Sequence, residues 1–434
     1  MRSVYRRQSQ RTERHRGVSR LLGRLGPVTI RYVKVLLASS FHYPRGGDSI
    51  QFLAMARALT ERGHEVAVFA MHHPDNLPSP WSKHWSPYME YEGGLSNAAR
   101  LTALWRSSYY PEAGRRLTAL VNEFRPDIVH FHSVHHHLTV SVVDAIVRAG
   151  IPTVWTLHDY RTVCPATALL RSNRTCELCR SGAFWHCVAG RCKRGSLQRS
   201  IAAAGESYLT RLRGTLGRVT CYISPSRFLA GKSLEMGLPA ARMEVLPNPI
   251  SHRVSAPSNA RRGVLYVGRL SAEKGVDLLI RACSEEGHVP LRIIGDGPSR
   301  PTLERLAMSL GRATTFNGWT DSSTVAVSMS EGALLCVPSI WYENCPGVVL
   351  EAMASGLPVV ASDLGGLSEL LAGGRCGLLF PAGDGDALRE TLRMALASPG
   401  VLKPLADRAR HRAMTRHGEK QFYSQLERIY ASLM

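Results

Sequence analysis

Short apolar runs alternate with amphipathic segments along most of the chain from residue 33 onward. The run VKVLLASS is followed by a glycine-containing turn, YPRGGDS, by the helical pattern IQFLAMARALTERG and by a second apolar run, HEVAVFA. An apolar run bounded by turn residues predicts a buried strand, and an amphipathic segment that ends at glycine predicts a helix. Strands that alternate with helices in this way predict a parallel sheet covered by helices.

The alternation occurs in two halves of similar size. The first half continues through EFRPDIVHFHS and AIVRAGIPTVWTLHD, and the second contains GVLYVGRL, LRIIGDGP, TTFNGW, ALLCVPS and PVVAS. The segment LPNPISHRVSAPSNARRG between them has three prolines and few large apolar residues, which is typical of an interdomain connection. We therefore predict an α/β protein with two doubly wound, Rossmann-like domains that face each other across a cleft.

The predicted organisation divides the 434 residues into four parts. They are a basic N-terminal arm at 1–32, an N-terminal domain at 33–247 with a cysteine-rich insertion at 161–199, a C-terminal domain at 248–410, and a closing helix at 411–434. The closing helix is predicted because Phe422, Leu426 and Ile429 recur at helical spacing in EKQFYSQLERIYASL.

The positive charge is concentrated in two stretches. The formal net charge is +20; residues 1–34 hold ten Lys and Arg against Glu13 alone, and residues 161–199 hold eight against Glu177 alone. A basic excess attracts phosphate backbones and anionic lipid surfaces. Because the excess lies mostly in an arm and an insertion, the remaining body is nearly balanced, which weakens a nucleic-acid-binding interpretation and is consistent with an enzyme.

The arm contains an amphipathic pattern at residues 14–25, with Leu21, Leu22 and Leu25 on one helical face and arginines around it. This pattern is typical of a helix on an anionic membrane surface, although a disordered arm or an over-extended start of the chain fits it equally well. The sequence has no apolar run of about 18 residues and no signal-peptide pattern at its N-terminus. We expect a cytoplasmic protein, with peripheral contact to the inner face of the membrane if residues 14–25 form that helix.

The insertion contains a cysteine group within CELCRSGAFWHCVAGRC. Cys176 and Cys179 are separated by two residues, and Cys187 and Cys192 by four. Four thiolates at such spacings can surround one tetrahedral Zn²⁺, as in a zinc knuckle. Disulfides and separate buried thiols are the alternatives, and reduced or metal-bound cysteines are expected in the cytosol. A zinc-knuckle nucleic-acid-binding protein is therefore one hypothesis for the chain.

Candidate binding residues follow the predicted strands of the second half, where ligands bind in α/β sheets. The segment WYENCPGVVLEAMASGLPVV predicts a helix that starts at Pro346 and ends at Gly356. Glu343 lies just before this helix and Glu351 about one turn into it. Free N–H groups at the helix start favour an anion such as a diphosphate, and carboxylates accept hydrogen bonds from sugar hydroxyls, although the helix dipole alone also favours acidic residues there.

Several of these segments resemble the GT-B glycosyltransferases of the family 4 type, which transfer a sugar from a nucleotide donor with retention of anomeric configuration. In the second half they are VGRLSAEKG, GDGP, PSIWYENCPG, ASDLGGLSEL and the pair of glutamates separated by seven residues, and in the first half GGDS, TLHDY and ISPSRF. The resemblance implies that Arg269 and Lys274 hold the donor diphosphate, that Glu343 contacts the donor sugar, and that Glu351 contacts the ribose hydroxyls.

The resemblance also assigns further residues to the site. His158, at the end of TVWTLH, is expected near the transferred sugar, and Gly46 and Gly47 let backbone approach the phosphates. The remaining residues expected to bind the donor are Gly347, Val348 and Val349.

The function implied by the resemblance is a retaining hexosyltransferase of EC class 2.4 in cell-surface polysaccharide biosynthesis. Its expected partners are a nucleotide-sugar donor in the C-terminal domain and a glycan or lipid-linked glycan acceptor in the N-terminal domain, with no nucleic acid. Two cations and a helix N-terminus can stabilise the leaving diphosphate, so no cofactor is expected for catalysis beyond a structural zinc if the cysteines bind one. A nucleotide-sugar epimerase on the same fold is the alternative.

The acceptor side is expected to include the insertion, because it follows His158 closely. Phe184, Trp185 and nearby arginines are candidates for contact with an anionic or lipid-linked acceptor. Of His130 and His132, one is expected to face the acceptor cleft and the other the core.

Overall fold

The computed structural model describes residues 32–88, 106–250, 262–285, 289–311 and 314–434. The membrane helix predicted at residues 14–25, with the rest of the arm up to residue 31, lies outside the described residues.

The N-terminal domain is built on a six-stranded parallel sheet with the order β2-β1-β3-β4-β7-β8. Its strands are β1 (Lys34–Ala38), β2 (Glu65–Phe69), β3 (Ile128–Phe131), β4 (Thr153–Thr156), β7 (Cys221–Ser224) and β8 (Met243–Val245). A small antiparallel hairpin in the insertion supplies β5 (Leu170–Arg171) and β6 (Arg174–Thr175). The central strands β3, β4 and β7 are buried along their whole length because helices cover both faces of a parallel sheet.

The C-terminal domain repeats this architecture with the order β11-β10-β9-β12-β13-β14. Its strands are β9 (Val264–Val267), β10 (Leu291–Ile294), β11 (Thr314–Phe316), β12 (Leu334–Val337), β13 (Val359–Ser362) and β14 (Leu378–Phe380). Along β9, Val264 and Tyr266 enter one core cluster while Leu265 enters the other, as the two-residue period of a strand requires. The predicted fold class, two doubly wound parallel-sheet domains, is confirmed.

The helices connect these strands. In the N-terminal domain they are α1 (Gly47–Glu61), α2 (Pro111–Phe124), α3 (Ser141–Arg148), α4 (Trp185–Ala189), α5 (Leu197–Leu212) and α6 (Arg227–Glu235). In the C-terminal domain and beyond they are α7 (Val276–Glu285), α8 (Arg300–Ser309), α9 (Ser322–Glu331), α10 (Gly347–Ser355), α11 (Gly366–Leu370), α12 (Gly385–Ala397), α13 (Pro399–Arg416) and α14 (Glu419–Ala431). Short 3₁₀ helices occur at Ser82–His84, Arg180–Gly182, Thr215–Arg218 and Ala272–Lys274.

Helix α10 starts one residue later than predicted. Pro346 has extended backbone dihedral angles and is the N-cap, so the first helical residue is Gly347. The helix ends as expected, with Gly356 in the left-handed region at φ 67°.

The C-terminal helix returns the chain to the N-terminal domain. Leu426 and Tyr430 of α14 are fully buried in the N-terminal core cluster. On the same helix, Glu427 accepts hydrogen bonds from Arg62, at 2.8 Å from Nη2, and from His64. The predicted closing helix is therefore present, and it joins the end of the chain to the first domain.

Candidate functional site

The centre of the site is a buried ion pair between two loops at the carboxyl edge of the C-terminal sheet. Lys274 follows β9, Glu343 precedes α10, and the Nζ of Lys274 lies 2.7 Å from Oε1 of Glu343. Ser339 Oγ donates a second hydrogen bond to the same oxygen at 2.7 Å. Only 5% of Glu343 is exposed. Burial opposes its charge, but the Lys274 ammonium and the hydrogen bonds outweigh burial and hold the pKa of Glu343 below its ordinary value.

Glycines allow these loops to come this close. Gly275 has φ 64°, and a side chain there would collide with the carbonyl oxygen of Pro338. A Cβ on Gly366 would collide with the carbonyl of Asn344, and the amide of Gly366 donates to Glu343 O at 2.7 Å. The backbone of Glu343 is thus held from the side of β13 as well as from its own helix.

A second cation, Arg269, lies in the same turn after β9. Its side chain is exposed and forms no ion pair with any carboxylate of the described residues. The Tyr266 hydroxyl donates to its carbonyl oxygen at 2.9 Å and holds the turn. Among the described residues of this turn, Lys274 is paired with Glu343 and Arg269 is not, so Arg269 is available for an anionic ligand.

The start of α10 presents unused amides beside these cations. Val349 N donates to Pro346 O, whereas no described group accepts a hydrogen bond from the amides of Gly347 or Val348. Glu351, one turn on, is half-buried and receives no hydrogen bond from the described residues. Burial raises the pKa of Glu351 to about 7. Such an unpartnered carboxyl is suited to accept hydrogen bonds from ligand hydroxyls.

In the N-terminal domain, Gly46 and Gly47 open α1 at the carboxyl edge of the first sheet. The amide of Gly46 donates to Ser49 Oγ at 3.0 Å, and Asp48 accepts from Ser133 Oγ at 2.7 Å. A Cβ on Gly47 would meet no atom within 4 Å. The space over Gly47 is therefore open to a ligand, as a close approach of phosphate would require.

His158, at the end of β4, comes together with the Glu343 loop. Its carbonyl oxygen accepts a hydrogen bond from Asn344 Nδ2 at 2.6 Å, across the two domains. Its Nε2 lies 2.9 Å from Nδ1 of His132. Burial lowers the pKa of His158, although the carboxylates of Asp48 and Asp159 act in the opposite direction. The structure thus places His158 and Glu343, predicted from different halves of the chain, at one cleft.

Of the two histidines expected to divide between the acceptor cleft and the core, His130 lies in the core and His132 lines a cavity together with His158. Both side chains are nearly fully buried, and Nδ1 of His132 lies 2.9 Å from Nε2 of His158. His130 has hydrogen bonds on both ring nitrogens, to the Tyr430 hydroxyl and Thr156 Oγ1, each at 2.7 Å. His130 ends in the interior because it lies on β3, a central strand of a sheet covered on both faces, and His132 is the first residue after that strand.

The sequence pattern did not identify Ser339 or Asn344 as contributors to the site. The N-cap of α10 is Pro346, and the Asn344 side chain bonds instead to the carbonyl of His158. That residue is 186 positions away, and local spacing gives no signal for such a contact.

The cysteine-rich insertion packs beside this cleft. All ten cysteines are free thiols, and no three His, Cys, Asp or Glu side chains in the described residues are placed to hold a metal ion. There is therefore no formed zinc site at Cys176, Cys179, Cys187 and Cys192 in this arrangement of side chains. The thiols of Cys187 and Cys192 are nevertheless close, because a hydrogen bond between them, together with burial, raises the pKa of the Cys187 thiol. Phe184 is buried against Tyr208 and cannot contact an acceptor, which corrects that expectation, whereas 57% of Trp185 is exposed.

One residue of the insertion reaches the C-terminal domain. Glu177 Oε1 accepts hydrogen bonds from the Tyr342 hydroxyl and from Lys232 Nζ, both at 2.8 Å. Because Tyr342 is the neighbour of Glu343, the insertion is connected to the loop that carries the central carboxylate.

No helix within the described ranges is both long and apolar enough to cross a membrane.

Two family patterns match the chain. One described as "Glycosyltransferase Family 4" matches residues 45–254, and one described as "Glycosyl transferases group 1" matches residues 261–398. Between them they cover most of both domains.

Individual proteins are similar over different lengths. A GDP-mannose-dependent alpha-mannosyltransferase of Mycobacterium tuberculosis is 31% identical over 357 residues, which is 80% of this chain and 84% of that protein. Alpha-D-kanosaminyltransferase of Streptomyces kanamyceticus is 32% identical over 39% of this chain, and the chain spans only 45% of its length. The crystal structure of Anabaena Alr3699/HepE in complex with UDP and glucose has a TM-score of 0.64 at 18% identity, covering 93% of this chain and all of that one.

Proposed function

This chain belongs to the family 4 glycosyltransferases of the GT-B fold, and we propose that it is a retaining enzyme that transfers a sugar from a nucleotide-sugar donor to a glycan or lipid-linked glycan. The observation that carries the proposal is the Lys274–Glu343 pair beside the unused amides of Gly347 and Val348. These groups lie at one sheet edge and match the three parts of a nucleotide sugar. The cations and N–H donors suit the diphosphate, and the carboxylates suit the hydroxyls of the sugar and the ribose.

The diphosphate would be held by positive groups already in position. Arg269 has no protein counter-ion in the described residues, and the first amides of α10 add the positive end of a helix dipole. Donors that are fixed before the reaction stabilise charge on a leaving group without reorganising during it. Gly47 leaves room for the phosphates to approach the N-terminal domain.

The sugar and the ribose would meet the two carboxylates. Glu343 is held ionised by Lys274, so it can accept hydrogen bonds from sugar hydroxyls. Glu351 lies one turn along α10 and has no described partner, which leaves its oxygens for the ribose hydroxyls.

In the proposed reaction the bond from the anomeric carbon to the diphosphate oxygen breaks. The acceptor oxygen forms a bond to that carbon on the same face, and its proton passes to the departing phosphate oxygen. Retention of configuration follows because attack and departure share one face. Closure of the two domains around the donor would exclude water and limit hydrolysis.

The acceptor would bind on the N-terminal side of the cleft, beside the insertion. Lys193 of the insertion lies within electrostatic range of Asp159, the neighbour of His158, and burial lowers the pKa of Lys193 to about 8. This basic side chain and the exposed Trp185 favour an acceptor that combines negative charge with an apolar surface, such as a glycan on a lipid diphosphate. A role in cell-surface polysaccharide biosynthesis is proposed on this basis.

The test is a panel of UDP-, GDP-, ADP- and dTDP-sugars with release of the nucleotide as the signal. We expect turnover of at least one donor, unaffected by EDTA because protein groups stabilise the leaving diphosphate. Glu343→Ala should lower the rate by at least about 100-fold. Glu331→Ala, which removes an exposed glutamate paired with Arg292 in the same domain, is the matched control and should retain full activity.

Other results would overturn the proposal. If no donor is bound or turned over, and Glu343→Ala behaves as the control does, the site does not bind a nucleotide sugar. Interconversion of free nucleotide sugars without an acceptor would identify an epimerase, and a product with inverted anomeric configuration would refute retention. Salt-sensitive binding of RNA or DNA that is lost in Cys176→Ser would support the nucleic-acid-binding hypothesis instead.

A further inference from the structure

Three histidine rings form a row in space from the cleft to the C-terminal helix. In order they belong to His158, His132 and His130. The rings of His158 and His132 are 5.2 Å apart at 25°, and those of His132 and His130 are 4.5 Å apart at 30°. Only the first pair is joined by a hydrogen bond, at 2.9 Å from Nε2 of His158 to Nδ1 of His132. His130 bonds instead to Tyr430 and Thr156, so it is stacked with His132 without sharing a proton with it.

The surroundings of His132 decide which nitrogen carries its proton. Its Nε2 is buried and has no hydrogen-bond partner among the described residues. The centre of the ring lies 5.2 Å from that of Phe52, with the two planes at 74°, and the ring borders a cavity lined largely by apolar side chains, among them Met55, Ile223 and Leu426. A buried N–H without an acceptor is less favourable than a buried lone pair without a donor. His132 is therefore protonated on Nδ1.

The proton of His132 determines the state of His158. A proton on Nδ1 of His132 donates to Nε2 of His158, so Nε2 is the unprotonated nitrogen of a neutral ring and the proton of His158 lies on Nδ1. No described residue bonds to Nδ1 of His158, and His158 is only half-buried, which leaves this atom free to bond a ligand in the cleft.

We propose that His132 is a positioning residue, which holds His158 in the Nδ1–H tautomer so that it presents a hydrogen-bond donor to the cleft. With its Nε2 lone pair occupied, His158 donates to an oxygen of the bound substrate and does not remove the acceptor proton through Nε2. The identity of that oxygen rests on the proposed function. The tautomer does not, because it follows from contacts within the protein.

The first test measures the tautomer directly. In ¹⁵N NMR spectra of the histidine rings, the wild-type protein should show His158 as neutral and protonated on Nδ1, without any added ligand. His132→Asn keeps an N–H close to the position of Nδ1 and should preserve this state. His132→Phe keeps a planar ring but has no donor, and His158 should then populate both tautomers.

The second test uses the donor identified by the nucleotide-sugar panel. His132→Phe should lower kcat by about 10- to 100-fold with little change in KM for the donor. His132→Asn should stay within about threefold of the wild type. Tyr430→Phe removes a buried hydrogen bond from the neighbouring ring but leaves the His132–His158 pair intact, so it is the matched control and should also stay within about threefold.

Two results would overturn the proposal: an Nε2–H tautomer of His158 in the wild-type protein, or equal losses of kcat in His132→Asn and His132→Phe. If His132→Phe fails to fold, the wild-type spectrum and His132→Asn decide the outcome by themselves. Because the spectrum needs no donor, failure of this inference is distinguishable from failure of the proposed transferase activity.

Discussion

Two glutamates at the sheet edge of the C-terminal domain show how the surroundings of a buried carboxyl group decide whether it is charged. Glu343 and Glu351 lie eight positions apart on either side of the α10 start, yet their protonation differs. Glu343 has Lys274 at 2.7 Å and a lowered pKa, whereas Glu351 has no counter-ion in the described part of the chain and a pKa of about 7. The same residue type therefore provides a permanent anion at one position and a titratable acceptor at the other.

Donor affinity should depend on pH through Glu351. In the folded state the pKa of Glu351 is about 7, above the ordinary 4.5, so the carboxyl is largely protonated below neutrality. The contribution of this protonation to the free energy of unfolding is therefore lost as the pH rises from about 4.5 to 7. Ribose hydroxyls donate only to its unprotonated oxygens, so affinity for a nucleotide sugar should rise by up to about tenfold between pH 6 and 8. Calorimetric titration measures this, and Glu351→Gln should remove the dependence; an unchanged slope in that variant would assign it to another group.

Removal of the Lys274 ammonium should affect stability as well as activity. In Lys274→Met the Glu343 carboxylate stays buried without its counter-ion, and the free energy of unfolding should fall by about 1–3 kcal/mol at pH 7. The difference should shrink as the pH falls through the lowered pKa of Glu343, because the pair contributes only while the carboxylate is ionised.

Adding Glu343→Gln to this variant should recover part of the stability but none of the sugar transfer. Denaturant unfolding and nucleotide release measure the two effects. Equal stability of Lys274→Met and the wild type would show that the pair makes no net contribution.

At the scale of loops and helices, the cysteine-rich insertion is where the sequence prediction and the structure disagree most. Its cysteine spacing predicts a zinc knuckle, whereas its described side chains are not arranged around a metal position. The insertion still contacts the donor side, through the hydrogen bond from Tyr342 to Glu177. The position of the insertion therefore affects the position of the loop that contains Glu343.

Elemental analysis of protein purified without chelators tests the zinc prediction. If thiolates of the insertion reorient around zinc, about one ion per chain should be found, and Cys176→Ser with Cys179→Ser should abolish it. Cys283→Ala, at a buried cysteine of the C-terminal domain, should leave the zinc content unchanged. Fewer than about 0.2 zinc ions per chain in the wild type would reject the prediction.

The two domains are held around the cleft by a few polar contacts of the described residues. Asn344 donates to the carbonyl of His158, and Glu369 of α11 accepts from the first two amides of α6, Arg227 N and Phe228 N, at 3.1 and 2.8 Å. A carboxylate from one domain thus caps a helix of the other, where the helix dipole favours negative charge.

Loss of the Glu369 cap should shift the protein toward a more open arrangement. Glu369→Ala removes both hydrogen bonds, and a capping contribution of about 1–2 kcal/mol corresponds to a shift of about tenfold in the equilibrium between closed and open states. Small-angle X-ray scattering should show a larger radius of gyration without ligand. Glu390→Ala, which removes an exposed glutamate of α12 paired with Arg393, is the control; a variant that scatters as this control does would contradict the expectation.

Much of the architecture was predictable from local pattern. Apolar runs such as VKVLLA and ALLCVP form strands, and the glycines at the ends of helical segments stop them, because burial and backbone preference act over a few neighbouring residues. The start of α10 was misplaced by one residue because proline is acceptable both at the first helical position and at the cap.

The amino-acid sequence by itself determined the two sheets and the edge at which the candidate site residues lie. Strand direction and the short loops that follow each strand are local properties, and parallel strands bring those loops to the same edge. Only the tertiary structure decided which side chains are partners. Lys274 and Glu343 are separated by 69 positions, Asn344 and the His158 carbonyl by 186, and His130 and Tyr430 by 300. Hydrogen bonds and ion pairs require atoms within about 3 Å, and packing of the two domains and the returning helix sets those distances.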